Sequence, residues 1–481
     1  MGQEIDSSHF TKRDFERFSA CLRREMAVLE NWFQEQRFAT GPGNAGFELE
    51  AWLIDGEGRP APINQAYLKH LNNPLVVPEL AVFNVEFNTP EQPLQGDVLR
   101  RLHAALQALW SEGDRHAREL DAALLMIGIL PTVREQDLTL ASMSDRVRYR
   151  ALNQQAMRMR QGKPLQLAIH GTEVLRSEHP DVMVEAAATS FQLHLQVNAP
   201  EAAAFFNAAL MLSAPMVAAT ANSPYLFGRA LWEETRIPLF EQAVAIGGDW
   251  TSGDPHDRPY RRVTFGSGYL QHSLLELFQE NLEHYPPLLP ECADAAPESL
   301  RHVRLHNGTI WRWNRPLIGF NRDGTPHLRI EHRVVPAGPS IPDTIANAAL
   351  FYGLIHALGR TPSLTGQLPF AQSRTNFYAA ARNGLGAELT WLGGQRVTAR
   401  QLLLEELLPL ARRGLSMLAI DPVDSDAYLG IIQARIATGH TGAHWQRAFV
   451  ACHGRDFGAL TSAYLERQRS GAPVHEWGLS C

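Results

Sequence analysis

Cysteine is scarce in this sequence, which argues against two classes of stabilised fold. Only four cysteines occur in 481 residues, and they are scattered at positions 21, 292, 452 and 481. No C-x-x-C pair is present, so neither a zinc ribbon nor a disulfide framework is predicted. The low cysteine content fits a reducing compartment, and the polar start Met1–Asp6 does not resemble a signal peptide. We therefore expect a cytoplasmic protein.

An excess of basic residues and long apolar runs are also missing. The chain has 44 Lys and Arg against 51 Asp and Glu, a formal net charge of −7. A general nucleic-acid binder usually shows a basic excess, so no nucleic-acid partner is expected. No uninterrupted apolar run looks long enough to cross a bilayer, so no membrane partner is expected either. The content of 45% hydrophobic and 20% charged residues is ordinary for a soluble globular protein.

The common nucleotide-binding and hydrolase motifs are missing or out of context. Gly41–Gly46 matches G-x-G-x-x-G, but a helical pattern precedes it and a strand pattern follows, the reverse of the dinucleotide-binding order. Gly162 and Lys163 are followed by Pro164, so there is no phosphate loop, and neither H-E-x-x-H nor G-x-S-x-G occurs. Any chemistry must therefore come from another arrangement of side chains.

The sequence does contain four short stretches in which apolar and polar residues alternate. They are Phe47–Ala51, Phe83–Asn88, Phe191–Asn198 and Leu328–Val334. Successive side chains of a strand point to opposite faces, so each stretch predicts a half-buried strand. Any one of them alone is more often a strand with a solvated polar face. Their polar faces, however, carry Glu, His, Gln, Asn and Arg, which bind hard metal ions and phosphates.

Taken together, the polar faces predict a metal site. The residues that could converge are Glu48, Glu50, Glu79, Glu86, His194 and Glu331. Five glutamates and a histidine would repel one another without cations, and Mg²⁺ or Mn²⁺ is the natural counter-charge for oxygen ligands. Arg333 shares a strand face with Glu331, and Arg315 is a second arginine that could contact a phosphate. Metals and arginines on one sheet face suit phosphoryl transfer.

Distant carboxylate strands favour one α+β domain, because a single face must be assembled from residues near 48 and near 331. We predict one catalytic domain over residues 1–481, with an N-terminal helix and a helical C-terminal elaboration at about 399–470. Further helices are expected over 98–125, with a break at Gly113, and over 201–219, with a kink or break at Pro215. Strands are expected at 303–312 and 327–335, and 247–262 reads as a surface loop that could form a lid.

Several motifs occur in a particular order along 46–447: Gly46–Glu50, Pro78-Glu79 with Glu86, Ala221–Pro224, and Ile330–Arg333. This order resembles the glutamate–cysteine ligase and carboxylate–amine ligase family, which shares the glutamine synthetase catalytic fold. The resemblance implies a mainly antiparallel, curved sheet of about six strands with helices packed on one side. Glu79 and Glu86 have opposite strand parity, so a bend or bulge is expected between them.

The resemblance also implies roles for individual residues. Glu50, Glu79 and Glu86 would form a metal site near the substrate carboxylate, and Glu48, His194 and Glu331 a second site that grips the ATP phosphates. The catalytic residues would be two arginines, Arg333 on the transferred phosphoryl group and Arg315 beside it. Substrate or ATP would also contact Arg262, Asn222 and Ser223. A turn before Pro224 explains Asn222 and Ser223 equally well.

The implied activity is ATP-dependent amide formation with magnesium or manganese. A carboxylate, such as the γ-carboxylate of glutamate, would become an acyl phosphate, and an amine or amino acid would displace phosphate, as in glutathione biosynthesis. One alternative is a small-acid kinase or phosphohydrolase, and another is a non-catalytic sensor of nucleotide or amino acid. A homodimer is one option for assembly, through helical surfaces such as 402–418.

Overall fold

The computed structural model describes residues 4–246 and 261–478. Its strands, in chain order, are β1 (Asn44–Ile54), β2 (Val76–Pro78), β3 (Asn84–Asn88), β4 (Gln92–Pro93), β5 (Ala123–Leu125), β6 (Leu165–His170), β7 (Val174–His179), β8 (Ser190–Val197), β9 (Tyr225–Leu226), β10 (Arg229–Ala230), β11 (Val263–Thr264), β12 (Trp311–Arg312), β13 (Asn314–Phe320), β14 (Pro326–Pro336), β15 (Glu388–Thr390) and β16 (Arg396–Thr398). Strands and helices are interspersed as far as β16, and the elements described after it are all helical.

The helices within the described residues are α1 (Lys12–Gln34), α2 (Asn64–Leu71), α3 (Val98–Arg118), α4 (Val147–Met159), α5 (Ala202–Thr220), α6 (Arg236–Ala243), α7 (Leu275–His284), α8 (Arg301–Asn307), α9 (Ile341–Leu358), α10 (Leu364–Gln367), α11 (Phe370–Asn383), α12 (Ala399–Leu402), α13 (Leu408–Met417), α14 (Pro422–Thr438), α15 (Gly442–His453) and α16 (Phe457–Arg469). A π-helical turn, Leu403–Leu407, joins α12 to α13. Buried apolar side chains from Ile5 to Trp477 form one continuous core.

The main sheet has the strand order β13-β14-β8-β1-β3-β2, and β4 and β5 also pair with β1. All of these pairings are antiparallel. The four stretches of alternating residues thus fall on neighbouring strands at its centre. The predicted α+β class, with an antiparallel sheet of about six strands, is confirmed.

Alternation along the central strands separates a helix-packed face from a polar face. On β14, the His332 ring stacks on Phe351 of α9 with 4.3 Å between ring centroids, whereas its neighbour Glu331 points to the opposite face. The hydroxyl of Tyr352 on α9 donates to the Gly46 carbonyl oxygen on β1 at 3.1 Å. Helices α9 and α5 therefore cover one face of the sheet, and the glutamates lie on the other.

The parity conflict between Glu79 and Glu86 is resolved by a hairpin rather than by a bend within one strand. Strand β2 ends at Pro78 and pairs with β3, with Val77 opposite Glu86. Residues 79–83 reverse the chain, so the strand predicted over Phe83–Asn88 begins at Asn84. Glu79 therefore approaches Glu86 from a neighbouring strand, and no shared face is required.

The strand predicted over 303–312 was wrong for most of its length. Residues Arg301–Asn307 form α8, and only Trp311–Arg312 is extended. The carboxylate of Glu25 on α1 accepts from the free backbone N–H groups at the start of this helix, His302 at 2.7 Å and Val303 at 2.9 Å. A cap supplied from so far away in the sequence stabilises the helix and leaves no local signal.

Two long helices also differ from expectation. The predicted break at Pro215 was wrong, because α5 is continuous through it and its residues 202–220 are almost all buried. Burial on all sides holds the helix together where Pro215 removes one backbone donor. Helix α3 passes through Gly113 without a break and ends at Arg118, and residues 123–125 form β5 instead.

Helix α5 also corrects the expectation about apolar runs. Ala202–Thr220 is long and apolar enough to cross a membrane by length and composition, but 94% of that stretch is buried inside the protein. A helix that is apolar all round and surrounded by protein is a core helix. The proposed lid, 247–262, lies outside the described residues apart from its last two positions, so it stays a prediction.

The crossing of α9 and α13 depends on two glycines that face each other. A Cβ atom on Gly414 would overlap the carbonyl oxygen of Gly353. We expect Gly414→Ala to lower the free energy of unfolding by about 1–3 kcal/mol, because backbone atoms cannot rearrange as a flexible side chain can. Urea denaturation followed by circular dichroism measures the change.

Gly430→Ala on α14 is the control, since its Cβ would meet nothing within 4 Å. A stabilisation of up to about 1 kcal/mol is expected there. Equal midpoint shifts for both variants would contradict the prediction.

Candidate active site

A cavity of about 240 Å³ lies against the polar face of the sheet. Eight of the predicted site residues line it: Glu48, Glu50, Glu79, Glu86, His194, Arg315, Glu331 and Arg333. Strand pairing explains the convergence, since Glu50 lies opposite Glu86 in the β1–β3 pair and Glu331 lies opposite both His194 and Arg315. The sheet thus brings together side chains from five separate parts of the sequence.

Glu48, His194 and Glu331 form the tightest group of possible metal ligands in this cavity, with ligand atoms within 4.8 Å of one another. His194 Nε2 lies 3.6 Å from a Glu48 oxygen and 3.7 Å from a Glu331 oxygen. This nitrogen is buried and has no hydrogen-bond partner among residues 4–246 and 261–478. Burial lowers the pKa of His194 to about 4, so the imidazole is neutral near pH 7, the form that binds metals.

Two arginines hold the Glu331 carboxylate. Arg315 donates to both of its oxygens, at 2.8 Å from Nε and 3.0 Å from Nη2. Arg333 Nη1 donates to one of them at 3.1 Å. Burial alone would raise the pKa of Glu331, but the two guanidinium groups hold it well below its ordinary value. Glu331 is therefore a permanent anion that orients both arginines.

A second cluster of carboxylates, Glu50, Glu79 and Glu86, lies at the other end of the same face. Burial, reinforced by neighbouring carboxylates, raises the pKa of Glu50 and of Glu79 to about 7 and that of Glu86 well above its ordinary value. Glu50 accepts from the Ser190 backbone N–H at 2.6 Å. Buried carboxylates that disfavour their own charge are strong ligands for a cation, which would restore their ionised forms.

A β-bulge lies beside Arg333. His332 pairs with Leu193, whereas the next register pair is Val335 with Phe191, so β14 has one extra residue there. Bulges of this kind change the direction of a side chain at a functional edge. The guanidinium of Arg333 extends over the sheet to the side-chain oxygen of Gln192 as well as to Glu331.

The structure does not bring Asn222 and Ser223 to the cavity. Both are fully buried, and they hold Glu234 through the Asn222 N–H and the Ser223 hydroxyl, each at 2.8 Å. Glu234 accepts from Arg236 Nε at 3.2 Å, and Arg236 Nη1 donates to the backbone oxygen of Arg333 at 3.2 Å. Asn222 and Ser223 thus support the bulge from behind instead of lining the substrate pocket.

Arg262 is also placed outside the cavity. Its guanidinium donates to the backbone oxygens of Thr309 at 3.0 Å and of Pro286 at 2.6 Å. Thr309 itself lines the cavity. Arg262 therefore fixes part of the cavity wall, and its predicted contact with substrate or ATP has no direct support in this arrangement.

Sequence reasoning gave no site role to several charged or aromatic side chains that line the cavity, among them Arg148, Tyr149, Glu185, Arg304 and Arg329. Glu185 had a detectable signal, since it is the one charged residue in the apolar run Val182–Ala188. Burial and then the Glu50 charge raise the pKa of Glu185 to about 7, against the opposing effect of Arg333. The arginines lie on patterns that resemble ordinary helix and strand surfaces.

The residues present fit divalent cations. An unpartnered, neutral, buried imidazole nitrogen beside two carboxylate oxygens is a donor set that suits Mg²⁺ or Mn²⁺. Glu48, His194 and Glu331 would hold one ion, and Glu50, Glu79 and Glu86 are the residues available for another. Bound ions would neutralise phosphate charge and polarise phosphoryl oxygens.

Two solved structures align with this chain at low sequence identity. The glutamate–cysteine ligase of Francisella tularensis, in complex with AMP, aligns with a TM-score of 0.54 at 12% identity and covers 92% of this chain and 91% of that one. A bifunctional glutathione synthetase from Pasteurella multocida aligns with a TM-score of 0.49 at 12% identity, over 92% of this chain and 55% of that one. No curated protein matches the sequence. The first likeness shows a shared fold.

An antiparallel sheet that presents carboxylates, one histidine and paired arginines to a single cavity suits the phosphoryl chemistry of an ATP-dependent ligase. Residues 44–466 match glutamate–cysteine ligase family 2 (GCS2). The chain belongs to this family, and it is an ATP-dependent ligase.

Proposed function

We propose that this ligase joins the γ-carboxylate of glutamate, or of a similar acid, to an amine or amino acid through an acyl phosphate. The observation that carries the proposal is the arrangement around Glu331, where one ionised carboxylate orients Arg315 and Arg333 beside a group of cation ligands. Such a site supports phosphoryl transfer by positioning and charge neutralisation, without a protein nucleophile.

The proposed reaction begins when an oxygen of the acid attacks the γ-phosphorus of ATP and ADP leaves. Arg333 and Arg315 face the cavity and are placed to stabilise the charge on the transferred phosphoryl group. The amine then attacks the acyl carbon and inorganic phosphate departs.

The test uses the purified full chain with ATP, magnesium, L-glutamate and a pool of ethylamine and the common L-amino acids. We expect ADP and an amide of glutamate in equal amounts, detected by mass spectrometry.

His194→Ala is expected to lower the rate of amide formation at least about 100-fold, since it removes the neutral ligand of the Glu48–His194–Glu331 group. His284→Ala, at an exposed histidine of α7, is the matched control and should keep normal activity. ATP hydrolysis without amide would favour a phosphohydrolase, and nucleotide binding without ADP would favour a sensor.

A further inference from the structure

Glu185 stands out among the cavity carboxylates because its side chain has no hydrogen-bond or ion-pair partner within residues 4–246 and 261–478. The carboxylates around it are engaged. Glu50 accepts from the Ser190 N–H and hydroxyl and from the Gln192 amide, and Glu86 accepts from the Asn88 amide at 2.9 Å. A half-buried carboxylate without a partner is costly to maintain unless a ligand completes it.

The backbone that carries Glu185 is held rigidly. Residues Val182–Ala187 form a short 3₁₀ segment whose other five side chains are all buried. Asp181 caps it by accepting from the Met183 N–H at 3.0 Å, and Asn153 of α4 accepts from the Val182 N–H at 3.1 Å. Because the segment is anchored at its start and along its apolar side, Glu185 alone is directed to the cavity.

The surroundings of Glu185 differ from those of the Glu48–His194–Glu331 group. In the part of the chain that the structure describes, Glu185 belongs to no group of three close ligand atoms, whereas Glu48, His194 and Glu331 do. Its electrostatic neighbours are of mixed sign: Glu50 and the two arginines Arg333 and Arg148. A half-buried carboxylate that lines the cavity without a partner among the described residues suits a compact organic cation with N–H donors.

We propose that Glu185 binds the ammonium group of the acceptor amine, accepts a proton from it, and places the resulting neutral nitrogen beside the acyl phosphate, from which inorganic phosphate leaves as the C–N bond forms. The inference rests on the proposed amide ligation. Its geometric basis is the position of Glu185, which shares the cavity with Arg333 and interacts with its charge. The acceptor nitrogen must approach the acyl carbon, which is joined through one oxygen to the phosphoryl group that Arg333 would contact. The α-ammonium group of glutamate lies three carbons away from this acyl carbon. A carboxylate at this point therefore selects cationic amines as acceptors through charge-assisted hydrogen bonds.

A competition experiment tests the role of Glu185. The full chain receives ATP, magnesium and saturating L-glutamate, together with hydroxylamine and the pool of ethylamine and common L-amino acids. Hydroxylamine is largely uncharged near neutral pH, so it does not need a carboxylate for binding. Both acceptors draw on the same acyl phosphate, so the ratio of amide to hydroxamate reports only the acceptor step and is independent of the folded fraction.

We expect Glu185→Gln to lower the ratio of amide to hydroxamate at least about tenfold. Glu178→Gln, at an exposed carboxylate of β7 that accepts from the Gln166 amide, should leave the ratio unchanged. An unchanged ratio in Glu185→Gln overturns the inference, and so does a wild-type protein that forms hydroxamate but no amide from the pool. A wild-type protein that forms no hydroxamate overturns the proposed ligation itself.

Discussion

Replacing Arg333 with lysine is expected to lower kcat for ADP formation by about 10³-fold or more. Arg333 is only 9% exposed, and one nitrogen of its guanidinium is shared between Gln192 and Glu331. An arginine that stabilises a transferring phosphoryl group is worth about 10³–10⁵ in rate. Lysine keeps the charge but loses the planar fork that can contact two oxygens at once.

The measurement is steady-state ADP formation at saturating ATP, glutamate and amine. Arg322→Lys is the control, because Arg322 is exposed in the turn that joins β13 to β14. The control should retain wild-type turnover. A loss below about tenfold in Arg333→Lys would show that this guanidinium does not contact the reacting phosphoryl group.

The strands of the site were predictable because their signal is local. A period of two along Phe191–Asn198 and Leu328–Val334 identifies both the strand and the face that each polar side chain takes. The same pattern placed Glu331 and Arg333 on one face, and the structure confirms that both line the cavity. The family resemblance supplied the grouping of Glu48, His194 and Glu331, and the strand order β14-β8-β1 in the structure explains it.

What the sequence could not show depends on contacts between distant residues. The strand predicted over 303–312 was wrong because helix α8 is capped by Glu25 of α1. This contact leaves no signal in the local sequence. Asn222 and Ser223 were placed in the substrate pocket because their motif matches the family, yet they act through Glu234 and Arg236, which lie behind the sheet. No periodic pattern marks a residue whose partner is supplied by tertiary packing.

The sequence patterns did not identify Glu185 as a cavity residue, for a different reason. A single charged residue within an apolar run has no period, so neither a strand nor a helix template assigns it a face. Its neighbours in the run are buried, which by itself predicts a core segment. The exception to that burial, a carboxylate directed to a cavity, is visible only when the anchored 3₁₀ segment and the sheet are seen together.

Replacing Asp343 with asparagine is expected to lower the free energy of unfolding by about 3–5 kcal/mol. Asp343 and Arg435 are 0% and 1% exposed, and Arg435 Nη2 donates to Asp343 at 2.7 Å. The other Asp343 oxygen accepts from the Ser340 hydroxyl at 2.7 Å and the Val474 N–H at 2.8 Å. Asparagine would leave the guanidinium as an unpaired buried charge, and breaking such a pair costs far more than it gains in forming.

The matched control is Asp426→Asn, on the same helix α14 as Arg435. Asp426 pairs with Arg412 at 3.1 Å, but their side chains are 68% and 51% exposed, so a cost below about 1 kcal/mol is expected. Urea denaturation followed by tryptophan fluorescence compares the midpoints of the two variants with the wild-type protein. Since Asp343 begins α9 and α9 covers the back of β8 and β14, a large loss for Asp343→Asn and a small one for Asp426→Asn would show that this buried pair stabilises the support of the catalytic sheet. Equal small losses would mean that the pair is solvated when the chain is folded, which contradicts its burial.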